Sequence, residues 1–312
     1  MQILILITGL ILLIGGAELL VRFSSALARS LGVRPLIVGL TIVSIGTSLP
    51  EFVVSLVAAI QNTMGISIGN IIGSNIANMG LILGAGAVLG VLPVRNSYLK
   101  SELPLMIFFT LLFSFFSFTH YKILRWEGIV LLLFLIFFLI YLTRNMQEDQ
   151  EKADRLVLNR KQKVWYLLLA LLGIVLLISG SKLTVDAGVK IATALGVSET
   201  VIGLTLIALG TSLPELATTL VGSYRGETEI VVGNVLGSNI FNLLFIGGGV
   251  AILRPIAVDP HLFRIDFPFL IIISILLWPL MWWRCRISHL EGAFLLGAYF
   301  LFIALAFLIS NH

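Results

Sequence analysis

The hexapeptide GTSLPE stands at residues 46–51 and returns unchanged at 210–215, an offset of 164. Each copy sits in the middle of an apolar run, 36–60 and 200–223, rather than at its edge. Proline has no N–H to donate and its ring clashes with the preceding turn, so Pro50 and Pro214 break any helix that carries them. Gly46 and Gly210 make the chain pliable just before each break. Carbonyls freed this way at membrane depth are tolerated only where they meet protein or line a cavity. Glu51 and Glu215 follow at once, so each break brings a carboxylate with it.

The repeat extends well beyond the hexapeptide. Between 33–84 and 197–248, 22 of 52 positions are identical without a gap. A second motif, GN..GSNI.N, occupies 69–78 and 233–242. Lys100, Glu102 and Pro104 align with Arg264, Asp266 and Pro268, and Glu127-Gly128 aligns with Glu291-Gly292. Self-similarity at a fixed offset over this length marks a duplicated architecture.

Composition sets the solvent. Apolar residues make up 58% of the 312-residue chain and charged residues 12%, against about 25% charged in a soluble domain. The chain reads as a polytopic membrane protein, and soluble, disordered and collagen-like classes are excluded. A span needs about 20 mostly apolar residues. Ten such runs stand near 3–21, 36–60, 66–93, 104–119, 126–143, 165–181, 200–223, 230–253, 267–283 and 290–309. The first has no basic leader and carries Glu18, so it reads as a retained helix rather than a cleaved signal.

The only strongly polar stretch, RNMQEDQEKADRLVLNRKQK at 144–163, divides the chain into a first repeat, 1–143, and a second, 164–312. Each repeat holds five spans. An odd number forces the second to enter the membrane from the opposite face, which is the inverted-repeat build of secondary transporters. The predicted fold is an all-α membrane protein of ten helices in two inverted five-helix repeats, with broken helices at the midplane.

Of the 20 Lys and Arg, most fall on the side of the first connection and the central linker, among them Arg22, Arg29, Arg34, Arg95, Arg284 and Arg286. Lys122, Arg125, Lys182, Lys190, Arg254 and Arg264 fall on the other. The basic side is expected to be cytoplasmic, with both termini outside and the 144–163 linker inside. The net charge of +4 therefore reflects topology, not nucleic-acid binding. The single cysteine, Cys285, excludes an internal disulfide and a cysteine metal cage. His120, His261, His289 and His312 and the five tryptophans lie near span ends and read as interfacial.

An acid at mid-bilayer costs roughly 2.5–3.5 kcal/mol on insertion scales and needs a partner. No Lys, Arg or His lies at the depth of Glu51 and Glu215, which leaves a bound cation or a proton. Asn78 and Asn242 offer carbonyl oxygens; Thr47, Ser48, Ser74, Thr211, Ser212 and Ser238 offer hydroxyls. Oxygen-only ligation suits hard cations such as Ca²⁺ and argues against zinc or copper. Ser74 and Asn78, four residues apart, share a helix face, and Ser238 and Asn242 repeat that spacing. The glycines at 69, 73, 80, 84, 233 and 237 read as close helix contacts. GNIIGSN is not a phosphate loop, because it lacks the lysine of one. A membrane hydrolase would need a base near Ser48 or Ser212, and no histidine lies there. A channel fits pseudo-twofold repeats less well than a carrier.

The paired GTSLPE and GSNI.N segments resemble the alpha repeats of the sodium/calcium exchanger family, within the wider cation/calcium antiporters. The resemblance covers nearly the whole chain, and the short linker resembles prokaryotic members. It implies alternating-access exchange of Na⁺ for Ca²⁺ in the plasma membrane, with the bilayer as surroundings and no resident cofactor. One chain is expected to suffice for transport. By motif position it implies ion coordination by Glu51 and Glu215, with Thr47, Ser48, Thr211 and Ser212 around them. Backbone carbonyls of Ser44 and Ala208 join them, and Ser74, Asn78 and Ser238 complete the ring. It also implies gating by sliding of the first and sixth helices. One position departs: well-studied members have Asp where this chain has Asn242. Two acids offset one Ca²⁺ or two Na⁺, which opens the coupling ratio and leaves room for H⁺ or another cation as the coupling ion.

Overall fold

In lipid a chain of apolar runs satisfies its backbone within each segment, and for single runs of this length that means helix. The structure is a computed structural model that describes residues 1–148, 156–196 and 208–310. The middle of the linker, the start of the seventh run (200–207) and His312 lie outside the described residues.

In chain order, α1 is Gln2–Leu31, closed by Gly32 in the left-handed region at φ 71°. A bent pair follows, α2 (Pro35–Thr47) and α3 (Leu49–Ile60), 45° apart. α4 is Met64–Leu89, β1 Leu92–Pro93, α5 Asn96–His120, β2 Lys122–Ile123 and α6 Arg125–Glu148. The second half holds α7 (Arg160–Ala194), the short α8 (Ala208–Gly210), α9 (Leu213–Tyr224) and α10 (Thr228–Leu253). It ends with β3 (Ile256–Ala257), α11 (Asp266–Trp282), β4 (Arg286–Ile287) and α12 (His289–Ser310).

Among the described residues eight helices are long and apolar enough to span, and the bent α2–α3 pair makes a ninth. The tenth, expected at 200–223, emerges into the described residues as α8 and α9. The architecture is the all-α fold of ten spans in two inverted five-helix repeats with broken helices.

The halves are interwoven. α1 and α7 run antiparallel through glycine contacts: a Cβ at Gly16 would lie 2.7 Å from Gly173 O, and one at Gly180 would lie 2.8 Å from Gly9 O. Gly9 and Gly173 are equivalent at the offset of 164, as are Gly16 and Gly180, so this pair has its own twofold symmetry. α4 crosses α12 at Gly84 and Gly292, and α10 crosses α6 at Gly248 and Gly128, again as symmetry mates. Small residues let backbones approach this closely in membranes. Glu127 and Glu291 start α6 and α12 alike, accepting the N–H of Leu124 and Ser288 at 2.7 and 2.8 Å.

Several details depart from expectation. α1 and α7 have 30 and 35 residues, well past the predicted ends at 21 and 181, because Arg22 and Lys182 end the apolar run without ending the helix. The linker begins and ends helical, since α6 reaches Glu148 and α7 starts at Arg160. Asn159 caps α7 by accepting the Gln162 N–H at 2.8 Å, and Gln162 Oε1 accepts the Asn159 N–H in return. Two ribbons, β1 with β4 and β2 with β3, tie one half to the other at opposite ends of the molecule. Gly233 and Gly237 pack against α2 as expected, and among the described residues a Cβ at Gly69 or Gly73 would meet nothing within 4 Å. Residues 200–207, which align with 36–43 of α2, lie outside the described residues.

Candidate functional site

The site forms where the two broken helices meet. Ser48 leaves helical geometry at φ −84°, ψ 6°, and Ser212 does the same at φ −88°, ψ 5°. Pro50 and Pro214 sit in the first turn of the helix that follows, where a missing N–H costs nothing. The Gly210 carbonyl is taken up by Ser181 Oγ at 2.6 Å, so α7 holds the second break in place. The breaks also leave each glutamate in the first turn of a helix, where the dipole favours negative charge.

The carboxylates are held crosswise. Ser48 Oγ of the first half donates to Glu215 Oε1 at 3.0 Å, and Ser212 Oγ of the second donates to Glu51 Oε1 at 3.1 Å. Ser212 Oγ also lies 3.4 Å from Ser74 Oγ. Both glutamates are 1% exposed, and in each the second oxygen, Oε2, has no partner. Asn78 Oδ1 and both amide atoms of Asn242 are likewise buried and unpartnered, while the Ser238 hydroxyl bonds to Glu215. A buried polar atom without a partner costs about 1–3 kcal/mol. Four unpartnered oxygens on α3, α4, α9 and α10 are therefore expensive unless something cationic meets them.

Asn78 and Asn242 each open a wide π turn, Asn78–Ile82 and Asn242–Ile246. Single π turns within α-helices are frequent at functional sites. Asn78 Nδ2 donates to Asn239 Oδ1 at 3.1 Å, which leaves its carbonyl oxygen free. Ion pairs among the described residues lie elsewhere, between groups such as Arg29 and Glu227 or Arg95 and Glu229. No group of three or more His, Cys, Asp or Glu that could hold a metal occurs among the described residues.

The remaining residues of the predicted set are placed unevenly. Thr47 Oγ1 donates to Asn234 Oδ1 at 3.1 Å, and Thr211 Oγ1 reaches Asn70 Oδ1 at 3.5 Å. Ser44 O accepts the Ser48 N–H at 3.0 Å, and Ser44 Oγ turns back to Leu40 O at 2.8 Å. Ala208 opens α8 at the edge of the described residues. Asn70 and Asn234 were not among the predicted ligands, yet they hold the threonines of the opposite half. Asn70 Nδ2 also donates to Glu51 O at 3.0 Å and to Ser55 Oγ at 2.9 Å. Their signal was present in the GN that opens each second motif.

The chain resembles known proteins over nearly its whole length. The sodium/calcium exchanger protein family matches residues 1–144 and 165–308. Inner membrane protein YrbG of Escherichia coli is 35% identical, covering 98% of this chain and 97% of its own. Sodium/calcium exchanger MaX1 of Methanosarcina acetivorans is 33% identical, covering 98% of each chain. A solved structure of the sodium-calcium exchanger NCX_Mj, soaked with Na⁺ and Sr²⁺, superposes with a TM-score of 0.86 at 32% identity over 97% of both chains. The chain belongs to the sodium/calcium exchanger protein family.

Proposed function

We propose that the crossed glutamates and their unpartnered oxygens are the exchange centre of this protein, a secondary active antiporter that exchanges Na⁺ for Ca²⁺ by alternating access. The observation that carries the assignment is the reciprocal bonding of Glu51 and Glu215, each with one oxygen left free. Coupling follows from shared ligands: Ca²⁺ and Na⁺ use the same carboxylates in turn, and a carrier with two bare carboxylates in lipid does not cross. The ligand set is Glu51, Glu215, Asn78, Asn242, Thr47, Ser48, Thr211, Ser212, Ser74 and Ser238, with carbonyls of Ser44 and Ala208. The ions are cargo, and no catalysis or resident cofactor is required.

The protein is a multi-pass protein of the plasma membrane. The linker lies in the cytoplasm and both termini outside, a reading supported by the Lys and Arg imbalance. The repeats are 1–143 and 164–312, and one chain suffices for transport because both halves of the site come from it. Two formal charges favour exchange of two Na⁺ for one Ca²⁺.

The test is Ca²⁺ uptake by proteoliposomes loaded with Na⁺ and diluted into Na⁺-free buffer, beside choline-loaded vesicles and a pH-gradient set. Uptake is expected only with internal Na⁺. Uptake driven by the pH gradient instead replaces Na⁺ by H⁺ as the coupling ion. E51Q and E215Q are each expected to lose at least ~100-fold, since each removes a charge whose compensation is worth about 3 kcal/mol. Full exchange in both variants overturns the site.

A further inference from the structure

The offset of 164 gives every residue of α9 a counterpart on α3, and the two helices differ on one face. Glu215, Thr219 and Ser223 succeed one another at four-residue spacing and so form one stripe. It runs about 12 Å from the exchange centre toward the end of α9. Their counterparts are Glu51, Ser55 and Ala59, and beside the stripe Thr218 stands where the first half has Val54.

The hydrogen bonds differ in the same direction. In the first half Asn70 Nδ2 closes the polar gap, donating to Ser55 Oγ at 2.9 Å and to Glu51 O at 3.0 Å. In the second half the corresponding atom, Asn234 Nδ2, has no partner. Nor do Thr218 Oγ1, Thr219 Oγ1 or Ser223 Oγ. All four residues are more than nine-tenths buried. Buried hydroxyls left unpaired forfeit their hydration without return, so a row of them calls for a use in another state.

The facing helix makes room for that use. A Cβ at Gly86 of α4 would lie 2.6 Å from Thr219 Cγ2 and 3.0 Å from Ser223 Oγ, so glycine is what lets both side chains sit there. The first-half mate of this contact has Val250 in place of Gly86. α1 packs on the other face of α9, against Leu213, Ala217 and Val221, and Arg225 pairs with Glu18 of α1 on that same side, so the stripe is covered by α4 and not by α1.

We infer that the Thr219–Ser223 stripe, backed by Gly86 and the free amide of Asn234, is the route by which cations pass between the exchange centre and the linker end of the molecule. Its hydroxyl oxygens replace water around a hard cation once α4 and α9 part along this face. The route to the opposite end is built differently, because Val54, Ala59 and Val250 are apolar and Ser55 is already bonded. This inference rests on the antiport reading of the central site, and its test separates the two.

T219V, S223A and the double variant are compared with the unmodified protein in Na⁺-driven Ca²⁺ uptake and in equilibrium Ca²⁺ binding in detergent. The double variant is expected to lose at least ~10-fold in turnover while Ca²⁺ binding stays within about twofold, because the ligands at the centre are intact. T219S and S223T keep the hydroxyls and are expected to keep the rate, which separates a lost oxygen from disturbed packing. S223C in a C285S background is expected to react with a membrane-impermeant thiosulfonate from the linker side only. Wild-type turnover in T219V/S223A, or labelling of S223C only from the opposite side, overturns the route. Absence of Na⁺-driven uptake by the unmodified protein overturns the antiport reading instead, and the labelling still reports on the route.

Discussion

Asn242 carries the sharpest consequence at the scale of single residues. Both its amide atoms are buried and unpartnered in the proposed exchange centre, so its position is ready for a ligand but brings no charge. N242D adds a third carboxylate and is expected to admit a third Na⁺ per Ca²⁺. Ca²⁺ uptake against internal Na⁺ then speeds up at inside-positive potential, since moving one net charge is worth about 2.3 kcal/mol per 100 mV. Valinomycin-clamped vesicles read this directly; equal voltage dependence in N242D and the unmodified protein refutes it. The acids and their serines were legible in the sequence because a carboxylate next to a proline in an apolar run has few other uses. Asn70 and Asn234 were not, although they stand in a quoted motif. Their role lies in which hydroxyl of the other half they meet, and only the crossing of the halves decides that.

At the scale of elements, ion pairs fasten α1 to the opposite half in a way that α7 does not repeat. Glu18 pairs with Arg225, and Glu227 accepts from both Arg29 and Ser25. The symmetry-related positions are Lys182, Gln61, Thr63, Thr193 and Val189, which cannot form these pairs. Half-exposed ion pairs are worth about 0.2–1 kcal/mol each. E18Q/E227Q is therefore expected to leave thermal stability almost unchanged. Turnover should rise several-fold, up to about tenfold, if sliding must break both pairs; an unchanged turnover would mean that α1 keeps this contact throughout the cycle. The α1–α7 seam behaves differently. G16L drives a side chain toward Gly173 O, 2.7 Å from the Cβ position, and is expected to cost about 1–3 kcal/mol by overpacking. G15A, where a Cβ meets nothing within 4 Å, is the matched control in a thermal scan. Hydropathy showed that these helices exist but not how long they are. At 30 and 35 residues they measure about 45 and 52 Å, against a hydrocarbon core of about 30 Å, so they tilt or project beyond it. Their charged ends look like loop in a sequence and are helix in the structure.

Across the whole molecule, sidedness is open to a single chemical probe. Cys285 is the only cysteine of the chain, partly exposed and next to the β1–β4 ribbon, whose Val94 N–H donates to its carbonyl at 2.8 Å. That ribbon lies at the linker end, so a membrane-impermeant maleimide is expected to label it only after the cytoplasmic face is opened. Labelling on intact cells would invert the proposed topology. The ten-span plan was legible from the odd count of spans per repeat and the gapless offset. The four short strands were not, because two-residue ribbons leave no alternating pattern to read and exist only where distant connections meet. The glycine crossings carry a last implication, about origin. Gly84 of the first half rests on Gly292 of the second, and Gly128 on Gly248; neither half closes these seams alone. A single five-helix ancestor would have had to find a second copy of itself facing the other way. Two separate copies would have to meet by chance in opposite orientations, whereas one chain with an odd number of spans in each repeat supplies both in a fixed one-to-one ratio.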